Sequence, residues 1–146
     1  MIRLTTILTA IVLTACAVEE PKPEVSLEPW MLASGTTLFA SMGVGFSGQP
    51  TPELARVWEL RDADDAEQHY LDYLASDDPG IRLYGLLGLQ MIDSPEYPAQ
   101  LERLLQDDSP VNIGAGCIIS VGITSKIAQR LDLERDTYSR IRFGGD

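Results

Sequence analysis

Apolar residues recur at helical spacing through the middle of the chain. Three sets of them follow the i, i+4, i+7, i+8 pattern that places side chains on one face of an α-helix. Between the first two sets, the segment 81–92 is apolar on almost every side, which predicts a buried helix at the centre of the fold. The three sets are Ala66, Tyr70, Tyr73 and Leu74, then Tyr97, Leu101, Leu104 and Leu105, then Val111, Ala115, Ile118 and Ile119.

Four predicted helix starts lie along the same part of the chain. In four dipeptides, Thr51-Pro52, Asp78-Pro79, Ser94-Pro95 and Ser109-Pro110, a residue with a side-chain oxygen precedes proline. The oxygen can cap free N–H groups, and proline at the first helical position lacks the N–H that would otherwise be unsatisfied. We therefore predict an all-α fold for residues 30–146, as one domain that is either a short α-solenoid or an irregular helical bundle. Residues 30–48 are expected to contribute its first helix and a glycine loop.

A weak internal repeat relates two of the predicted helices. At an offset of 30 residues, Asp77, Asp78, Ile81, Gly85 and Leu89 coincide with Asp107, Asp108, Val111, Ala115 and Ile119. An aspartate-rich turn followed by a helix with a small residue resembles the second helix of a short HEAT-like repeat, over residues 62–131. The pattern departs from that family at Asn112, where an arginine such as Arg82 is usual. Leu83–Leu89 with Gly116–Ile118 also resembles a group of uncharacterised bacterial proteins, from which no activity follows.

The N-terminus has the order of residues found in a secretory signal peptide. Arg3 is followed by a short apolar stretch and then by small residues. The apolar stretch is too short to span a bilayer as a helix. Leu13-Thr14-Ala15-Cys16 resembles the lipobox of bacterial lipoproteins. The resemblance implies removal of residues 1–15 and lipid attachment to Cys16, which would anchor the protein in the cell envelope. Ala17 and Val18 follow Cys16, so no aspartate stands just after it, and in Gram-negative lipoproteins this implies an outer-membrane protein that faces the periplasm.

Residues 16–29 are expected to form a solvated tether, because residues 17–29 hold three prolines and four glutamates without an apolar period. In polyproline geometry, at about 3.1 Å per residue, the tether reaches roughly 30–40 Å. The whole chain carries 11 Lys and Arg against 22 Asp and Glu, a formal net charge of −11. Such a charge repels phosphate backbones and anionic lipid. We therefore expect no nucleic-acid partner, and contact with the membrane only through the lipid on Cys16.

Few residues are candidates for catalysis or for metal binding. Cys117 has no intramolecular partner once Cys16 is lipidated, and its apolar neighbours favour a buried thiol over an intermolecular disulfide or a reactive group. His69 shares a predicted helix face with Asp65 and Asp72, which is fewer than the four ligands of a structural zinc site. We therefore assign no catalytic residue, metal or cofactor. An enzyme that uses Cys117 or His69 stays an alternative.

The glycines of Gly43–Gly48 match the spacing of dinucleotide-binding loops. Such a loop needs a strand that leads directly into the first glycine and a helix that begins at the third. Here the preceding segment is weakly patterned, and residues 49–51 separate the loop from the next predicted helix. A turn that needs glycine backbone freedom is the better interpretation.

Negative charge is concentrated in the middle of the chain. Residues 53–108 carry 14 acidic and 4 basic residues. In a two-helix solenoid, Asp77, Asp78, Asp107 and Asp108 would form an acidic ridge that attracts a basic partner. Helix capping and solubility are the alternative roles of these aspartates. The expected function is that of a membrane-tethered envelope protein that acts as a protein-interaction or scaffold module. An inhibitor or immunity lipoprotein against a cationic toxin or hydrolase is a second hypothesis.

Overall fold

Five short helices and one β-hairpin form the fold in the computed structural model, which describes residues 33–45 and 47–135. Two antiparallel strands make the hairpin, which lies between the fourth and fifth helices along the chain. The predicted signal peptide, Cys16 and the tether lie outside the described residues. The elements are α1 (Pro52–Leu60), α2 (Ala66–Leu74), α3 (Pro79–Met91), α4 (Tyr97–Leu104), β1 (Pro110–Ala115), β2 (Ile118–Ile123) and α5 (Thr124–Leu133).

Two of the four predicted helix starts are confirmed, and a third lies close to a helix start. Thr51 caps α1, since its hydroxyl accepts a hydrogen bond from the backbone N–H of Leu54. Asp78 caps α3 by accepting from the backbone N–H of Gly80. In the third case α4 begins at Tyr97, two residues after Ser94-Pro95. The Ser94 hydroxyl still accepts from the backbone N–H just before that helix, so it organises the turn that leads into it.

The central position predicted for the apolar segment 81–92 is confirmed. In α3 every residue from Leu83 to Gln90 is buried, and the helix contacts α1, α2, α4, α5 and β1. Its glycines allow α2 to approach closely. A Cβ atom on Gly88 would lie 2.2 Å from the Tyr70 ring, and one on Gly85 would lie 2.7 Å from the Tyr70 carbonyl oxygen. These two small residues therefore determine how tightly α2 packs on the central helix.

The all-α prediction is wrong, because the segment that begins at Ser109-Pro110 is a hairpin and not a helix. β1 pairs with β2 in antiparallel register, from Pro110 opposite Ile123 to Ala115 opposite Ile118. β-branched residues and glycine make up half of β1 and all but one residue of β2, and both residue types are unfavourable inside helices. Two such runs joined by two residues, the first a glycine at φ +55°, favour a tight hairpin turn. The fold is therefore mixed α and β, and the second unit of the proposed solenoid is absent.

The predicted first helix is also wrong over residues 33–45, which run as an extended and turning segment beside β1. The Phe39 backbone pairs with β1, since its N–H donates to the Asn112 carbonyl and its carbonyl accepts from the Gly114 N–H, both at 2.8 Å. The buried Asn112 side chain accepts from the N–H of Ala33 and donates to its carbonyl. Hydrogen bonds that span more than 70 residues of sequence thus hold this segment, and helical periodicity cannot reveal them.

Candidate functional site

The four aspartates of the predicted acidic ridge lie at the turns before α3 and β1, but their carboxylates have different surroundings. Asp78 is turned inward, where its second oxygen accepts from the backbone N–H of Thr37 at 2.8 Å. Asp107 is paired with Arg82. Asp77 and Asp108 are exposed, and Asp108 accepts only a long hydrogen bond of 3.4 Å from the Ser125 hydroxyl. Two of the four therefore stabilise the fold, and two are available to a partner.

Arg82 joins the two aspartate turns. Its Nε and Nη2 atoms lie 3.0 and 2.6 Å from one Asp107 oxygen, while Nη1 donates to the carbonyls of Ser76 and Asp77 at 2.9 Å. The Arg82 and Asp107 side chains are only 12% and 16% exposed. Burial raises the pKa of Asp107, but hydrogen bonds from Ser109 and the Arg82 charge outweigh it and hold that pKa below 3.8. The pair therefore stays ionised and fixes the spacing of the two turns.

A shallow cleft of about 310 Å³ lies beside this pair and contains charges of both signs. The Arg103 guanidinium faces it and also donates to the carbonyl of Leu74 at 3.1 Å. Asp77 and Asp107 are balanced there by two arginines, so the cleft does not present the continuous negative surface that an acidic ridge implies. Its lining residues are Ala75, Ser76, Asp77, Arg82, Arg103, Leu104, Gln106 and Asp107.

His69 lies near one of its two candidate partners on α2. Its Nε2 atom is 3.3 Å from an Asp65 oxygen, one helical turn away. Asp72 instead accepts a hydrogen bond from Gln68 at 2.9 Å. Within residues 33–45 and 47–135, no group of three or more His, Cys, Asp and Glu side chains is placed to hold a metal ion.

Cys117 is exposed at the tip of the hairpin, so its predicted burial is wrong. It is the second residue of the two-residue turn that joins β1 to β2, directly after Gly116. A tight turn projects from the body of the sheet, and apolar neighbours in sequence therefore do not bury the residue at its tip.

The described residues of the glycine loop, 43–45 and 47–48, form a turn. Val44 pairs with Gln49, and Gly45 and Gly48 have φ of +70° and +62°, a region that favours glycine. A Cβ atom on Gly43 would lie 1.8 Å from the Gly48 carbonyl oxygen. The glycines are thus explained by the closure of the turn itself.

β2 carries an exposed apolar surface that the helical interpretation of residues 111–119 concealed. Of the eight large hydrophobic residues that are exposed in the described part of the chain, four lie on this strand. No charged residue occurs among residues 109–125. We call this strand and its outward-facing side chains the β2 surface. It comprises Ile118, Ile119, Val121 and Ile123, with exposed fractions of 69%, 42%, 46% and 39%.

An apolar cavity of about 420 Å³ lies between β1, residues 39–42 and α5. Phe39, Ile113 and Leu131 form much of its wall, and Arg130 and Glu134 also line it. A cavity of this size and character suits an apolar side chain or a small apolar ligand. Neither the cavity nor the β2 surface was predicted. The Gly-Cys dipeptide between two β-branched runs could have revealed the hairpin and with it the β2 surface, whereas the cavity also depends on residues 39–42 and α5, which are distant in sequence.

The chain has no significant match among protein-family models, curated proteins or solved structures. None of the described helices is both long and apolar enough to cross a membrane.

Proposed function

We propose that the protein is a lipid-anchored module of the bacterial cell envelope that binds another polypeptide through the β2 surface. The observation that carries this proposal is the exposure of four branched aliphatic side chains on one strand, beside a strand edge with which no described segment pairs. Exposed apolar residues gathered on one element mark interaction sites more often than single exposed residues do.

The outer edge of β2 is suited to strand addition. β1 occupies one side of β2, and within residues 33–45 and 47–135 no segment pairs with the other side. Proteins usually protect such an edge with a charge, a proline or a bulge. β2 contains none of these, and its six residues pair with β1 without interruption. An extended segment of a partner could therefore add as a further strand, with backbone hydrogen bonds for affinity and the aliphatic side chains for specificity.

The lipid anchor places this surface in the envelope. The lipobox-like Cys16 and the proline-rich tether support a body held roughly 30–40 Å from the membrane, at the periplasmic face of the outer membrane in a Gram-negative cell. The net charge of −11 disfavours direct contact between the body and anionic lipid. The partner is therefore a protein of the adjacent aqueous space, and the membrane contact is the lipid.

A second candidate function is the neutralisation of a cationic toxin or hydrolase. The observation that favours it is the turn between α1 and α2, where Asp62, Asp64 and Asp65 are all exposed. A basic partner bound there would dissociate as salt screens the charges, whereas strand addition at the uncharged β2 surface would persist.

Affinity capture from envelope extracts at low and high salt tests the proposed function. The full tagged chain is compared with Val121→Lys, and with Leu133→Lys as the matched control, since Leu133 is 78% exposed and lies on α5. We expect identified proteins that the wild type and the control retain at both salt concentrations and that Val121→Lys loses. Proteins lost from all three chains at high salt would favour the second candidate. Equal retention by all three chains at high salt would contradict the proposal.

A further inference from the structure

We propose that the polypeptide bound by the β2 surface is a second copy of the same chain, paired strand to strand about a two-fold axis at Val121. This inference depends on the proposed function, because it names the partner of the surface described there. The hydrogen-bond directions of the hairpin, the side chains that the pairing brings together and the distribution of charge support it.

The hydrogen bonds of β1 determine which backbone groups of β2 point outward. The Asn112 carbonyl and the Gly114 N–H bond to Phe39, so even-numbered residues of β1 face away from β2. The odd-numbered residues therefore pair with β2, where Ile113 lies opposite Ser120. Residues 118, 120 and 122 thus use their backbone groups within the hairpin. Ile119 and Val121 direct their N–H and C=O groups to the open edge. Ile123 directs only its N–H there, because it is the N-cap of α5 and its carbonyl accepts the first hydrogen bond of that helix.

Only some alignments of two β2 strands satisfy these directions. Antiparallel strands exchange hydrogen bonds between residues that both point toward the partner strand. Alignment of Ile118 with Ile123 of a second copy pairs an inward residue with an outward one and is excluded. Alignment of Val121 with Val121 of the second copy pairs all three outward residues, because Ile119 then lies opposite Ile123. No other allowed alignment gives more hydrogen bonds, and only the axis at Val121 sets all three of these aliphatic residues opposite one another.

The same alignment joins apolar side chains. Ile119, Val121 and Ile123 share the face of the hairpin opposite to the one that contacts Ile127 of α5. In the paired form these three residues from each copy make a continuous patch of six aliphatic side chains, three on each of the two adjacent strands. Each is 39% to 46% exposed in the single chain, so pairing removes apolar surface from water.

Charge also favours a second copy at this site. Each chain has a net charge of −11, and residues 53–108 alone carry 14 acidic against 4 basic residues. Two copies that meet through most faces would bring like charges together. Residues 109–125 contain no charged residue, so contact through β2 avoids this repulsion.

The pairing is expected to be weak in dilute solution and stronger on a membrane. Two strands of six residues bury less than the roughly 800 Å² per partner of a standard stable interface. Anchoring by a lipid confines the copies to one surface and raises their effective concentration. The dimer should therefore form at the envelope, where the proposed anchor holds the chains together.

Disulfide trapping tests the alignment. In full-length chains that carry Cys117→Ser, isolated membranes are oxidised after a cysteine is placed at Val121 or, as the control, at Ile119. Opposed residues in a hydrogen-bonded pair have Cα atoms about 5.5 Å apart, which permits a disulfide. The two copies of residue 119 would lie about 13 Å apart along the strands, beyond the reach of a disulfide. The parent chain, which carries only Cys117→Ser, shows how much crosslinked dimer forms through Cys16.

We expect a disulfide-linked dimer from Val121→Cys and none above the parent level from Ile119→Cys. Pairs of charged variants give an independent measurement, because the two copies of residue 121 lie opposite each other. Tagged Val121→Lys should capture untagged Val121→Glu, whose charge is opposite, but not untagged Val121→Lys, whose charge is the same. The proposal that the partner is a second copy is overturned if Val121→Cys gives no dimer, or if Val121→Cys and Ile119→Cys crosslink equally. If capture of a different protein still depends on Val121, the proposed function survives that result. If no capture depends on Val121, both proposals fail.

Discussion

A buried hydroxyl helps to hold residues 33–45 on the helices. The fully buried Tyr84 side chain donates to the Leu38 carbonyl at 2.9 Å and accepts from the Ala40 N–H at 3.0 Å. Its oxygen lies 2.7 Å from the Thr51 hydroxyl, which must be the donor because the Tyr84 proton is already used. Burial raises the pKa of Tyr84, so the hydroxyl stays protonated at neutral pH.

The first prediction concerns this hydroxyl. Tyr84→Phe should lower the free energy of unfolding by about 1–3 kcal/mol, because it leaves a buried N–H without an acceptor. Urea denaturation measures the change. Tyr73→Phe is the matched control, since Tyr73 is partly exposed and has no side-chain hydrogen bond among the described residues. Equal losses in the two variants would show that the hydroxyl network contributes nothing.

The second residue-scale prediction concerns pH. The pKa of Asp107 is lowered in the folded protein, so its stabilising effect is complete above its ordinary value of 3.8 and is lost as pH falls through the lowered value. Asp107→Asn should therefore cost about 2 kcal/mol at pH 7, the scale of a hydrogen bond to a charged group, and less at pH 3, which lies below that ordinary value. Denaturation at the two pH values measures the difference. The exposed Asp77→Asn should change little at either pH, and a constant cost for Asp107→Asn would contradict the prediction.

At the scale of elements, the contact of α2 with α3 makes a helical glycine stabilising, whereas glycine inside a helix usually lowers stability. Replacement of glycine by alanine inside a helix ordinarily gains about 1 kcal/mol. At Gly88 the added Cβ would lie 2.2 Å from the Tyr70 ring, and overpacking of a core typically costs 1–3 kcal/mol. Gly88→Ala should therefore destabilise the protein in thermal unfolding. Gln129→Ala, on the exposed side of α5, should be neutral or slightly stabilising, and a stabilised Gly88→Ala would refute the packing of these helices.

The hairpin shows why spacing alone misassigned an element. Val111, Ala115 and Ile118 follow helical spacing, yet they also share one face of the hairpin, because a two-residue turn places Ala115 opposite Ile118. A helix and a hairpin would therefore both place these three side chains on one face. Residue type distinguished them, since the β-branched and glycine content of the segment disfavours a helix.

At the scale of the whole molecule, the proposed anchor predicts where lipid is attached. The chain has two cysteines, Cys16 and the exposed Cys117, and the lipobox-like residues precede only the first. Expressed in bacteria with an alkyne-tagged fatty acid, the wild type and Cys117→Ala should incorporate the label, and Cys16→Ala should not. In-gel fluorescence measures incorporation. Label retained by Cys16→Ala would remove the anchor from the proposed function while leaving the β2 surface untouched.

The sequence by itself determined the elements whose signals are local. Capping residues before proline located α1 and α3, and the apolar composition of residues 81–92 placed α3 at the centre, because these effects act within a few residues or through burial on every side. Tertiary structure alone decided the hairpin register, the course of residues 33–45 beside β1 and the pairing of Arg82 with Asp107. These depend on partners that are distant in sequence, and such partners also decide that β2, unlike β1, remains exposed.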